Sequence, residues 1–155
     1  MSTLDQQNPP PAALSPGEQL ADGLSDAADA LHARVMRALR KLPADGAAPP
    51  ITQTEAQALF DQEVALRQQA NGLYTDAARA AIAGLAASQH SLLDLIDGAK
   101  KNIASIAKMQ DLVGIGIDLL TLAGAIVEAK PERLLTAAKT MRERIQHLQA
   151  ATPVA

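Results

Sequence analysis

Apolar residues in this chain return at steps of three and four, again and again, and never alternate over a sustained run. Steps of three and four keep side chains on one face of an α-helix, whereas a half-buried strand needs a step of two. Leu20, Leu24, Ala27, Leu31, Val35, Ala38 and Leu42 form the first such stripe. Leu59, Leu66, Ala70, Leu73, Ala77 and Ala80 form a second, and Ala81, Leu85, Ser88, Leu92, Leu95 and Ala99 continue it with the face shifted by one. Leu134, Ala138, Met141, Ile145 and Leu148 form the last.

The residue types agree with the spacing. Apolar residues are 48% of the 155, but Phe and Tyr occur once each and Trp never. The apolar content is mostly Ala and Leu, which lose little side-chain freedom in a helix. No Cys is present, so disulfides, thiol nucleophiles and Cys-ligated zinc are excluded.

Local signals place the helix ends. Ser15-Pro16-Gly17-Glu18 reads as a capping box with Pro at the first helical position. Asp22, Asp26 and Asp29 precede Arg34, Arg37, Arg40 and Lys41, an order that complements the helix dipole, and Pro43 ends this helix. Thr52-Gln53-Thr54-Glu55 repeats the capping box. The helix it opens is expected to run to residue 97, with weak points at Asn71-Gly72 and Gly84 and a nearly all-small stretch from Ala80 to Ala87. Asp97-Gly98 is the expected break before a third helix, and Lys130-Pro131 the turn before the last.

The expected fold is therefore all-α: an elongated antiparallel bundle of about four helices, at 16–42, 53–97, 99–129 and 132–149. Residues 1–14, with three consecutive prolines, are expected to be a flexible tail, and 151–155 a short C-terminal one. A continuous second helix of about 45 residues would be about 67 Å long, which is the source of the expected elongation.

The third helix stands apart. Lys101, Lys108, Asp111, Asp118, Thr121 and Glu128 make one narrow polar seam, and nearly everything else is apolar or small. A helix apolar over most of its circumference is either central in a bundle or covered by a partner. The candidate interface is thus Ile103, Ile106, Val113, Ile117, Leu120 and Ile126, with Tyr74 as a ring of the kind enriched at interfaces. The most apolar window, Val113 to Val127, reads as too short for a membrane span and contains Asp118.

Chemistry-bearing patterns are sparse. His32, His90 and His147 have no His at i+3 or i+4, and Glu143 with His147 alone is no metal site. Asp94 with Asp97 and Glu128 with Glu132 are the carboxylate pairs of any solvated helix, and no Glu is followed by His three residues on, as a di-iron bundle requires. Gly114 and Gly116 fit neither a dinucleotide nor a phosphate-loop pattern and are better read as close packing. Arg34, Arg37 and Lys41 share a face that can meet phosphate or an acidic partner, although a solvated face is the plainer reading. With two aromatic rings, base stacking on nucleic acid has no basis, and the net charge of −3 is no nucleic-acid footprint.

These features point away from an enzyme or a cofactor protein, and no cofactor or metal is expected. They point toward a helical interaction protein (adaptor, chaperone or secretion-associated partner) that binds a protein or itself. An amphipathic protein on a lipid or polymer surface is the alternative, although the Lys/Arg-rich faces and aromatic anchors of such helices are missing. A toxin-neutralising inhibitor is a third. Met1 to Asp5 carries no basic or apolar leader, so a cytoplasmic location is expected, with export by a signal-less route left open.

Overall fold

The computed structural model describes residues 16–41, 43, 45–75, 89–128 and 130–151. Among them are five helices and no strand: α1 (Pro16–Arg40), α2 (Gln53–Gly72), α3 (Gln89–Ser105), α4 (Met109–Glu128) and α5 (Pro131–Ala151). The expected tail at 1–14, the Ser15 cap, Leu42 of the first stripe, the small-residue run with Gly84, and positions 152–155 lie outside the described residues.

α1 begins with Pro16 and carries Glu18 in its first turn and Arg37 and Arg40 in its last. Leu20, Leu24, Ala27, Leu31, Val35 and Ala38 are all buried, so the stripe read from the sequence is the face that meets the core. The chain then reverses through a turn at Asp45-Gly46, where Gly46 has φ of 77°, a conformation that only glycine adopts freely. α2 starts on the expected capping box. The Glu55 amide donates to Thr52 Oγ1 at 3.1 Å, and the Thr52 amide donates to Glu55 Oε1 at 2.9 Å.

Two boundaries differ from expectation: the first raises the helix number among the described residues from about four to five, and the second moves a break. The helix that opens at residue 53 stops at Gly72 rather than running to 97. The Leu73 amide donates to Ala70 O, the Tyr74 amide to Asn71 O and the Thr75 hydroxyl to Gly72 O, which satisfies carbonyls of the last turn. Leu73, fully buried, pins that turn to the core. A helix of 20 residues is about 30 Å long, so the premise of an elongated bundle falls.

The second difference lies between α3 and α4. The helix does not break at Asp97-Gly98. There Lys101 pairs with Asp97 at 2.9 Å, Asn102 Nδ2 donates to Gly98 O at 2.7 Å, and the Gly98 backbone lies against Ile145 of α5. It breaks instead at Ile106–Lys108. The buried Ile106 side chain enters the core, and the freed carbonyls meet arginines of α1: Arg34 Nε donates to Ile106 O at 2.9 Å and Arg37 Nη2 to Ala104 O at 2.7 Å.

α1 packs against α2 and α3, α2 against α4, α4 against α5, and α5 returns to α3, so the five helices close a ring around the core. The pairs Asp22–Tyr74, Asp29–Arg67 and His32–Glu63 make α1 and α2 antiparallel. Gly23 against Ile96 and Lys100 beside Asp26 make α1 and α3 parallel. Arg133 with Glu128 and Arg144 with Asp118 make α4 and α5 antiparallel.

Candidate functional site

α4 is bordered by α2 and α5, and its inner face of Leu112, Ile115, Leu119, Leu122 and Ile126 is buried. Its outward face runs through Gln110, Val113, Ile117, Leu120, Thr121 and Gly124, all exposed or half-buried. Ile117 is 51% exposed. Between Lys108 and Glu128 the chain carries only two charged residues, Asp111 and Asp118, and Asp118 is turned inward. The outward face is therefore uncharged and half apolar for more than three turns.

The structure divides the predicted interface set. Ile103, Ile106 and Ile126 are buried in the core of the single chain and present no surface. They belong to the core shared by the packed helices, which the apolar width of the segment alone does not reveal. Val113 and Leu120 pack partly against the core, and Ile117 faces outward. Tyr74 is 42% exposed at the turn after α2, away from the α4 face, and its hydroxyl donates to Asp22 Oδ1 at 2.5 Å. That bond, with burial and the nearby Asp22, Glu18 and Asp26 charges, pushes the phenol up to about 12.

Two polar side chains fix the borders of α4. Gln62 of α2 is buried over Gly116. Its Nε2 donates to Val113 O at 3.2 Å, while its Oε1 has no partner among the described residues. A Cβ at Gly116 would collide with this amide. On the other border the Arg144 guanidinium of α5 lies across Gly114, where a Cβ would stand 2.7 Å from Nη1. Its Nε donates to Asp118 Oδ2 at 2.7 Å. The two glycines thus make room for side chains from neighbouring helices, in line with the close-packing reading. The polar seam is broken at Asp118, which the sequence placed with the solvated residues. The available signal was its position inside an apolar helix, since a carboxylate there demands a cation.

The α4–α5 groove next to this face has a volume of about 580 Å³ and is lined by Leu120, Gly124, Glu128, Arg133, Thr136 and Thr140 among others. Glu128 and Glu132 line it beside the threonine hydroxyls, with Glu128 paired to Arg133 at 2.7 Å, and no His lines it. His32 sits elsewhere, 2.8 Å from Glu63 and with its ring centroid 6.0 Å from that of Phe60, at the α1–α2 contact. Exposed His90 lies 3.5 Å from Asp94, and His147 is exposed on α5. Among the described residues, no three His, Asp or Glu side chains converge as metal ligands.

By length and composition α4 is apolar enough to cross a membrane, more so than its Val113–Val127 core suggested, but half of that window is buried in the bundle. Comparisons with protein-family models, curated proteins and solved structures find no match to the chain.

Proposed function

We propose that this chain is a non-enzymatic helical interaction protein that binds another protein, or a second copy of itself, through the outward face of α4. One observation carries the reading: a face of more than three turns, centred on the half-exposed Ile117, holds no charged side chain. Charged groups are depleted at the centre of protein interfaces, and a continuous apolar patch on an otherwise charged surface marks a contact site. The adaptor, chaperone and inhibitor roles all use such a face, and they differ in the partner rather than in the surface.

The test places a photo-crosslinking residue at Thr121, one turn from Ile117 on the same face, and, in parallel, follows oligomeric state by sedimentation velocity over a range of concentrations. Expected is a discrete crosslink to self or to one host protein that Ile117→Glu abolishes while the melting temperature holds. A chain that stays monomeric, crosslinks to nothing discrete and binds no exposed-hydrophobe dye overturns the reading. The apolar length of α4 favours a second reading, a lipid surface as the occupant of the same face. Flotation with neutral phosphatidylcholine vesicles that is lost in Ile117→Glu would select it.

A further inference from the structure

At the end of the bundle away from Tyr74, the last turns of α1, Pro50 and the α3–α4 turn enclose a cleft of about 530 Å³. Its walls are Arg34, Arg37, Arg40 and Lys41, with Ala38, Pro50, Ala107 and Met109 between them, and no Asp or Glu lines it. Elsewhere many cations have a carboxylate: Arg67 meets Asp29 and Glu63, Lys100 meets Asp26, Lys101 meets Asp97, Arg133 meets Glu128 and Arg144 meets Asp118. Among the described residues, none of the four cleft cations has a carboxylate within ion-pair distance.

Their hydrogen bonds fix position without cancelling charge. Arg34 Nε, Arg37 Nη2 and Arg40 Nε donate to the carbonyls of Ile106, Ala104 and Met36. Each guanidinium keeps further N–H donors, because one side chain carries five. The C-termini of α1 and α3 each bring roughly half a negative charge to this end. Against four cations that leaves an excess of roughly three positive charges. Burial, with Arg37 alongside, lowers the Arg34 pKa below its usual value, as expected of crowded cations without counter-charge. α4 also begins at this cleft with Met109, so its positive dipole end adds to the field.

We propose that this cleft binds a phosphate group, carried by a small phosphorylated molecule or by a lipid headgroup. Planar guanidiniums fixed by backbone carbonyls match the oxygens of phosphate in pairs, and Lys41 adds a point charge at the mouth. The volume holds a phosphoryl group and part of its organic scaffold. The site shares no residue with the α4 face, so it stands or falls separately.

Calorimetric titration of the full chain with pyrophosphate at physiological salt is one arm. Flotation with phosphatidylcholine vesicles containing phosphatidic acid is the other. Saturable binding in the first arm identifies a free phosphorylated ligand, and binding confined to the second identifies a headgroup. The double variant Arg40→Gln/Lys41→Gln spares the two arginines that hold α3. It is expected to weaken binding by at least about tenfold with an unchanged melting temperature, whereas Lys139→Gln on α5 leaves binding intact. No binding in either arm, equal binding by the double variant, or equally tight binding of poly-glutamate overturns the assignment.

Discussion

Arg144 reaches across α4 over the bare backbone of Gly114 and donates from Nε to Asp118 Oδ2 at 2.7 Å, so one charged pair ties α5 to the most apolar helix of the bundle. The carboxylate is almost enclosed and the guanidinium about one-third exposed. Removing one member of a buried pair leaves the other charge without compensation, which costs more than the pair itself contributes. Arg144→Ala is expected to lower stability by about 2–3 kcal/mol in urea unfolding, reduced from the fully buried case by the solvent reaching Arg144. Asp118→Leu together with Arg144→Met is expected to restore most of the loss. A double variant as unstable as Arg144→Ala would show that packing, not charge, holds this border.

Gly116 and Gln62 make a prediction whose sign depends on the partner. Alanine in a helix interior is favoured over glycine by about 1 kcal/mol. At Gly116 the Gln62 amide occupies the space a Cβ needs, and overpacking of a buried contact costs about 1–3 kcal/mol. Gly116→Ala is therefore expected to destabilise the native chain, and to stabilise a Gln62→Ala background by up to about 1 kcal/mol. The four proteins of this double-mutant cycle, compared by thermal and urea unfolding, give the answer. The same sign in both backgrounds would exclude the contact as the cause.

Tyr74 is the only tyrosine and the chain has no Trp, so its ionisation can be followed directly by ultraviolet absorbance. Its pKa is raised to about 12, first by the hydrogen bond to Asp22. A raised pKa means that the neutral phenol is the form the fold favours. The stability from this contact is thus fully present below the unfolded value near 10 and is lost as pH rises from there through about 12. The tyrosinate midpoint is expected near 12 in the native chain and closer to 10 in Asp22→Asn. Equal midpoints would show that the bond is absent in solution.

Thr52 caps α2 with both halves of its box formed. Thr52→Ala is expected to cost about 1 kcal/mol, and Thr52→Ser much less, because the serine hydroxyl accepts the same bond from the Glu55 amide. Equal losses for the two variants, measured by chemical unfolding, would assign the effect to the threonine methyl group instead.

The local features of the fold were readable in advance. The α1 stripe, the Thr52 box and Pro131 at the head of α5 depend on residues within a few positions of one another, and each is where spacing and capping rules put it. The misplaced boundaries depend on distant residues. Asn71-Gly72 read as a weak point inside a longer helix, but the anchoring of Leu73 in the core makes it an end. Asp97-Gly98 looked like an end, but Ile145 and the Lys101 pair carry the helix through it. Of the candidate interface set on α4, Ile117, Val113 and Leu120 reach the outward face. Ile103, Ile106 and Ile126 have the same residue character, and only the packing of the helices separates core from surface.

The bend at Ile106–Lys108 is held by guanidinium groups some seventy positions earlier in the chain. Nothing nearby in the sequence prevents residues 99–128 from coiling as a single straight rod, and before α1 docks that rod is the local preference. The corner is thus acquired during assembly, and the first and third helices must meet before it closes. Pulse-labelled amide exchange during refolding should find protection of the Ile106 amide, which donates to Ile103 O, arriving no sooner than in α1, and Arg34→Ala should delay it. An early corner, already set while α1 is still open, would reverse that order of events.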